Sequence, residues 1–98
     1  MKPLFAVIDG ISNIFTSAEE YHAATFSPDC KIEHIHRLEI KGKSYQERRE
    51  NLQNIAIDIQ HADNGGLSYF ETDILYDFFT RNGKKYGLLT EFRENAIC

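Results

Sequence analysis

The 98-residue sequence predicts a single α+β domain, in which a small three-stranded antiparallel sheet is covered on one face by three to four helices. Three observations predict this fold class. An Asp-Gly dipeptide separates two short apolar runs near the N terminus, a third segment alternates in polarity, and the C-terminal half carries helix caps followed by apolar residues at helical spacing. No stretch rich in Pro, Gly or Ser divides the chain, so residues 1–98 are expected to form one domain.

The N-terminal segment is expected to form a β-hairpin with strands at residues 3–8 and 11–15. Asp9 and Gly10 lie between the two apolar runs. Both residue types tolerate the positive φ angles of a type I′ turn, whose twist matches that of the strands. This hairpin supplies two of the three predicted strands.

A short helix is expected to follow the hairpin. Thr16 and Ser17 offer a helix cap, with Glu19 and Glu20 in the first turn, where the helix dipole favours carboxylates. The helix is expected to end near Thr25, because Pro28 cannot continue it.

The third strand is predicted from Cys30 to Ile40, where side chains alternate with a period of two. One face is apolar apart from two histidines and consists of Cys30, Ile32, His34, His36, Leu38 and Ile40. The other face is mainly charged and consists of Lys31, Glu33, Ile35, Arg37, Glu39 and Lys41. The charged face is expected to meet solvent, so the first face is directed to the core or to a partner.

A long helix is predicted to begin after Ser44, which forms an S-x-x-E capping box with Glu47. It is expected to run to about Ala62 and to be terminated by Asn64-Gly65-Gly66. Its apolar stripe consists of Tyr45, Leu52, Ile55, Ala56, Ile59 and Ala62.

A second capping box, Ser68 with Glu71, predicts a further helix that Asn82-Gly83 closes. A last helix is expected from about residue 85 to residue 95, with Gly87 in its first turn. The Asn-Gly dipeptide is also compatible with a hairpin that joins residues 74–81 to residues 84–92. The doubled apolar pairs and the preceding cap favour the helix.

Charge and composition narrow the classes of function. The net charge of −4 comes entirely from residues 50–98, because residues 1–49 contain as many basic as acidic side chains. Direct binding of the whole domain to nucleic acid is therefore disfavoured, and a basic protein surface is the better match. No apolar run approaches the roughly 20 residues of a membrane span. The two cysteines, Cys30 and Cys98, show no metal-knuckle spacing, which indicates free thiols and a cytoplasmic location.

His34 and His36 are the most unusual side chains, because they project from one face of the third strand. Two histidines at this spacing can bind a metal, with Cys30 as a third ligand. The alternative is that they lie at a sheet edge or in a dimer contact, each with one hydrogen-bond partner. No cofactor is expected, because the local sequence supplies too few ligands for a four-coordinate site.

The segment that contains Glu33-His34-Ile35-His36, Glu50-Asn51-Leu52-Gln53 and His61 resembles the HNH nuclease pattern. The resemblance implies that His34 activates water, that Asn51 orients it, and that Glu33 and His61, with His36 nearby, hold a divalent metal. Two features oppose the nuclease hypothesis. The capping box places Asn51 inside a helix, whereas the family places its asparagine in the loop before one, and the acidic balance suits an enzyme of DNA poorly.

The predicted helix after Ser68 offers a binding surface. Its inward residues are Ile74, Leu75, Phe78 and Phe79, so Tyr69, Asp73, Tyr76, Asp77 and Thr80 project outward. Tyrosine beside carboxylates is typical of protein interfaces that select a basic partner. The alternative is a solvated helix face.

The leading prediction is a non-enzymatic, acidic protein-binding domain that forms a homodimer and binds a basic partner through Tyr69, Asp73, Tyr76 and Asp77. By analogy with small acidic accessory proteins of phages and mobile elements, the partner is expected to be a basic or nucleic-acid-binding host factor, such as a defence complex, which the domain inhibits. The alternatives are the HNH-like nuclease or metal-binding protein, and a helix-turn-helix regulator that uses the last two helices with Lys84 and Lys85 in the turn.

Overall fold

The computed structural model describes residues 2–62 and 67–97 and confirms the α+β class. In chain order the elements are β1 Leu4–Ile8, β2 Ile11–Phe15, α1 Ala18–Ala24, β3 Ile32–Arg37, α2 Tyr45–His61, α3 Tyr69–Tyr86 and α4 Leu89–Glu94. The three strands form one antiparallel sheet in the order β2-β1-β3. In the described residues, no helix combines the length and the apolar composition that crossing a bilayer requires.

The N-terminal hairpin is confirmed. Asp9 and Gly10 adopt φ angles of 50° and 81°, and Leu4 pairs with Phe15 at the open end of the hairpin. Both central residues of a type I′ turn need positive φ, which is why this dipeptide predicts the turn. β1 becomes the central strand, and all five of its residues are buried.

Both faces of the sheet are covered, whereas the sequence predicted helices on one face only. Phe5, Val7 and Ile14 belong to the main core, which the sheet forms with α2, α3 and α4. The second face is formed by Leu4, Ala6, Ile8 and Phe15, which pack against Tyr21, Cys30 and Ile32. The prediction was wrong because α1, though short, supplies Tyr21 to this face together with the chain that precedes β3.

A β-bulge in β3 corrects the predicted face assignment of the third strand. Val7 pairs with Glu33 but Phe5 pairs with His36, so β3 contains one more residue than β1 between these pairs. The irregularity is at His34, whose φ is 52°. An extra residue reverses the alternation. Ile32 therefore packs on the second face, while His36 and Leu38 lie on the face of the main core.

α2 begins where its cap predicts. The Ser44 side chain accepts a hydrogen bond from the Glu47 N–H, while the Glu47 carboxylate accepts one from the Lys43 N–H and not from Ser44. The predicted stripe is buried from Leu52 to Ala62, but Tyr45 is exposed, and its ring lies tilted against that of Tyr86 of α3 with centroids 5.5 Å apart. The terminator predicted at Asn64-Gly65-Gly66 lies outside the described residues.

α3 is longer than predicted. Its capping box of Ser68 and Glu71 is confirmed, but the helix continues through Asn82-Gly83 to Tyr86. Gly83 is buried where α4 crosses, and a Cβ on Gly83 would lie 3.1 Å from Phe92 and 3.2 Å from the Leu89 Cα. The glycine is needed for this close approach and not for a turn.

α3 ends at Gly87 and not at the predicted Asn82-Gly83. The φ of Gly87 is 70°, the left-handed conformation that favours glycine after a helix. The last helix, predicted from residue 85, therefore begins only at Leu89, and the hairpin alternative for residues 74–92 is excluded.

Candidate functional site

The outer side of the first half of α3 presents exposed aromatic and acidic side chains together. We call this surface the α3 face, and its members are Tyr69, Phe70, Asp73, Tyr76 and Asp77. The three rings have exposed fractions of 93% for Tyr69, 71% for Phe70 and 49% for Tyr76. Asp73 and Asp77 are also exposed, so the outward orientation predicted for four of these residues is confirmed.

The apolar side of α3 fixes the orientation of this surface. Leu75, Phe78 and Phe79 are buried in the main core, and Phe79 meets Phe92 edge to face with ring centroids 5.6 Å apart. A helix whose buried residues recur at this spacing must turn the opposite side outward. The α3 face is therefore set by the core packing of the same helix.

Glu71 anchors the start of α3 to the sheet. Its carboxylate accepts hydrogen bonds from the Ser68 N–H at 3.1 Å and from the Ile14 N–H of β2 at 3.0 Å. Burial alone would raise the pKa of Glu71, but these backbone donors lower it below its ordinary value. The ionised carboxylate thus completes the capping box and satisfies an edge-strand donor, and it holds the helix terminus that carries Tyr69.

The charge of the α3 face is negative. Residues 69–80 contain three carboxylates and no Lys or Arg. Asp77 pairs with Arg81 one turn later at 2.8 Å, and both side chains are largely exposed. Among the described residues Asp73 forms no salt bridge. An exposed i,i+4 pair is weak, so Asp77 can exchange Arg81 for a cation of a partner.

An apolar hollow of about 130 Å³ lies beside Tyr76. Leu67, Thr72, Phe79 and Ile97 contribute to its walls. The hollow is large enough for part of an apolar side chain, so the α3 face combines protruding rings with a recess. Such a combination is typical of the packed centre of protein interfaces.

His34 and His36 form a second polar site, with Asp58 of α2. His34 Nδ1 lies 2.8 Å from Asp58 Oδ1, and His36 Nε2 contacts the other oxygen, Oδ2. Burial alone would raise the pKa of Asp58, but the hydrogen bonds from His36 and His34, and the charges of both rings, lower it below its ordinary value. All three side chains are partly exposed.

The side chains that the nuclease resemblance names are not arranged as the nuclease pattern requires. Glu33 pairs with Lys31 at 3.1 Å, and Asn51 lies in the second turn of α2, where its side-chain oxygen accepts a hydrogen bond from the Lys41 N–H at 2.8 Å. His61 is exposed in the last turn of α2. Within residues 2–62 and 67–97, no group of three or more His, Cys, Asp or Glu side chains is placed to hold a metal ion. The named residues therefore do not fit a metal centre.

The last two helices also differ from the arrangement that the regulator hypothesis requires. Lys84 and Lys85 lie in the last turn of α3, not in a turn between helices. α4 has only six residues, with Glu91 in its first turn and Glu94 at its end. A helix this short, with carboxylates at both ends, is a poor match for a recognition helix in the major groove.

Two residues of these sites were missed in the sequence. Asp58 occurs at i+3 from Ile55 and i−4 from Ala62, so it lies at the edge of the buried stripe of α2, where a partly buried carboxylate is stabilised by a partner. That spacing could have identified it. Phe70 follows Tyr69 at the helix start and falls outside the inward spacing of α3, which could have predicted its exposure.

Comparisons of the chain with protein-family models, with curated proteins and with solved structures find no match, so these sites are the basis for inferring its function.

Proposed function

We propose that this chain is a non-enzymatic protein-binding domain that engages a basic partner through the α3 face. The observation that carries the proposal is the exposure of Tyr69, Phe70 and Tyr76 on one helix whose opposite side is packed in the core. Three neighbouring exposed rings are unusual for a surface that meets only water. Tyr and Phe are enriched at interfaces, because a ring provides a large contact area for few rotatable bonds.

The charge of the α3 face defines the chemistry of the partner. Asp73 and Asp77 lie among the rings, and no Lys or Arg occurs in residues 69–80. Complementary charge steers association and disfavours acidic competitors. A surface or segment that presents Lys or Arg beside an apolar side chain would match the carboxylates, the rings and the hollow next to Tyr76.

The biological setting proposed for this domain is inhibition of a basic or nucleic-acid-binding host factor by a cytoplasmic accessory protein of a phage or mobile element. The support is the acidic charge, the small size and the free Cys30 thiol. In this setting the α3 face would occupy the surface that the host factor uses for nucleic acid.

Capture from a lysate with matched variants tests the proposal. Wild-type protein is compared with Tyr76→Ala and Asp73→Lys, and the controls are Phe26→Ala, which removes another exposed ring, and Glu50→Lys, which reverses an exposed charge on α2. We expect one basic protein to be retained by the wild type and by both controls and to be lost with both α3 variants. All variants should retain the wild-type melting temperature.

Calorimetry with the purified partner then measures how much each substitution changes the binding free energy. Tyr76→Ala is expected to weaken binding by about 1–4 kcal/mol, because buried aromatic anchors carry much of the energy of an interface. Asp73→Lys is expected to slow association and to flatten its dependence on salt. A partner that binds all the variants equally would place the interface elsewhere and end this proposal.

A further inference from the structure

Four basic residues line a cleft toward the C-terminal half of α3. They are Lys2, which precedes β1, Arg48 of α2, and Arg81 and Lys85 of α3. The cleft has a volume of about 490 Å³, which is within the range of roughly 300–1,000 Å³ of small-molecule sites. The four residues come from three separate parts of the sequence, so only the fold brings them together.

Both arginines form a hydrogen bond through their Nε atoms. Arg48 Nε donates to the Gly42 carbonyl at 3.0 Å, and Arg81 Nε donates to Asp77 at 2.8 Å. In the described part of the chain these are the hydrogen bonds that the two guanidinium groups form, so their Nη groups keep N–H donors for a ligand.

The charge of the cleft is opposite to that of the whole chain. Two acidic side chains, Glu39 and Asp77, also line it, so the six charged groups give a formal net charge of +2. The chain as a whole carries −4. A phosphate monoester carries about −1.5 to −2 at neutral pH. It therefore matches the cleft better than a single carboxylate does, and the guanidinium groups of the two arginines suit its oxygen atoms.

Part of the floor of the cleft is apolar. Leu38, Phe78 and Tyr86 are buried beneath it, and Ile40 and Ile74 border it with partial exposure. Lys85 Nζ lies 5.5 Å from the centre of the Tyr86 ring. A ligand that has an apolar or aromatic body next to its anionic group would cover this floor while the group meets the cations.

We infer that this cleft binds a small phosphate monoester with an apolar or aromatic body. The inference goes beyond the proposed protein-binding function, since the three exposed rings of the α3 face do not line the cleft. Asp77 lies at the border of both surfaces, where it pairs with Arg81.

An NMR titration of ¹⁵N-labelled full-length chain tests the inference with three probes at constant ionic strength: phenyl phosphate, inorganic phosphate and benzyl alcohol. Phenyl phosphate is expected to cause saturable shifts at the residues that line the cleft. Its affinity should exceed that of inorganic phosphate by about tenfold or more, because only phenyl phosphate also covers the apolar floor. Benzyl alcohol should bind at least about tenfold more weakly, because it lacks the charge.

Variants of neighbouring lysines separate a site from a general attraction of anions. Lys85→Gln should weaken phenyl phosphate binding about fivefold or more, whereas Lys84→Gln, an equal change of charge outside the cleft lining, should leave it within about twofold. Arg48→Gln provides a second cleft variant if Lys85→Gln perturbs the fold. Non-saturable shifts, equal effects of the two lysine variants, or equal affinities for phenyl phosphate and either other probe would overturn the inference.

Discussion

Asp58 ties the bulged strand to the long helix through a single carboxylate. His34 adopts a φ of 52°, and a left-handed backbone costs a residue with a Cβ about 1 kcal/mol or more. The same bulge allows both His34 and His36 to reach Asp58 from one side of β3. The hydrogen bonds to Asp58 offset part of the backbone cost, so this cluster stabilises the packing of β3 against α2.

The stability contributed by Asp58 should depend on pH in a defined direction. Its folded pKa is below its ordinary value, so its contribution is fully present above the unfolded pKa, about 3.9, and is lost as pH falls through the folded pKa. Asp58→Asn is expected to lower the free energy of unfolding by about 1 kcal/mol near pH 5, allowing for partial exposure. Urea denaturation from about pH 5 to pH 2.5 should show the wild type and the variant converging below about pH 4.

Asp77→Asn is the matched control for this measurement. Asp77 forms an exposed salt bridge with Arg81 within one helix, which is expected to contribute less than about 0.5 kcal/mol. A difference between wild type and Asp58→Asn that stays constant across this pH range would show that the carboxylate does not stabilise the fold through its charge.

The candidate site was predictable from the sequence only where it depends on one helix. The helical spacing of the inward residues Ile74 and Phe78 predicts that Tyr76 and Asp73 point outward. The structure confirms this orientation. The partner of the two histidines was not predictable in the same way. Asp58 meets them because an extra residue in β3 changes the register, and nothing local in the strand sequence specifies a bulge.

At the level of elements, the crossing of α3 and α4 depends on one small residue. Gly83→Ala would add a Cβ 3.1 Å from Phe92 Cδ2 and 3.2 Å from the Leu89 Cα. Alanine favours a helix by about 1 kcal/mol over glycine, but the backbone of α4 must move to accept the methyl group. We expect a net loss of about 1–3 kcal/mol in the free energy of unfolding, measured by urea denaturation.

Lys84→Ala is the control for this variant, because it changes an exposed residue in the same turn of α3. It is expected to change stability by less than about 0.5 kcal/mol. If Gly83→Ala is as stable as the wild type or more stable, the contact between the two helices is looser than the structure indicates.

Elements whose signals lie close together in the sequence were predicted correctly. Features that depend on contacts between distant residues were not. The Asp9-Gly10 turn and the caps at Ser44 and Ser68 depend on residues within one turn of each other, so the sequence was sufficient. Asn82-Gly83 has the composition of a terminator, but it lies inside the helix, where the lack of a side chain on Gly83 allows Phe92 and Leu89 to approach closely. Local composition cannot reveal which helix will cross at that position.

On the scale of the whole molecule, the second face of the sheet has a thin cover. α1 buries none of its own residues, although Tyr21 packs against the sheet. Ile11 pairs with the second-face residue Ile8 and therefore points to the same side, and Ile35 precedes His36 and points away from the main core. Both isoleucines are about half exposed. Ile11 and Ile35 therefore leave apolar surface exposed on the second face, which lies away from α2, α3 and α4.

The proposal that the chain forms a homodimer depends on this exposed apolar surface of Ile11 and Ile35, since the second face of the sheet is not left uncovered. Light scattering at tens of micromolar, a concentration on the order of ordinary dissociation constants for such contacts, is expected to give twice the mass of one chain. Ile35→Lys should yield a monomer, because it places a charge in the apolar contact. Ile57→Lys is the matched control, since Ile57 has an exposed fraction of 52% against 49% for Ile35 but lies on α2. A strictly monomeric wild type, or a dimer that only Ile57→Lys disrupts, would contradict dimerisation through the second face.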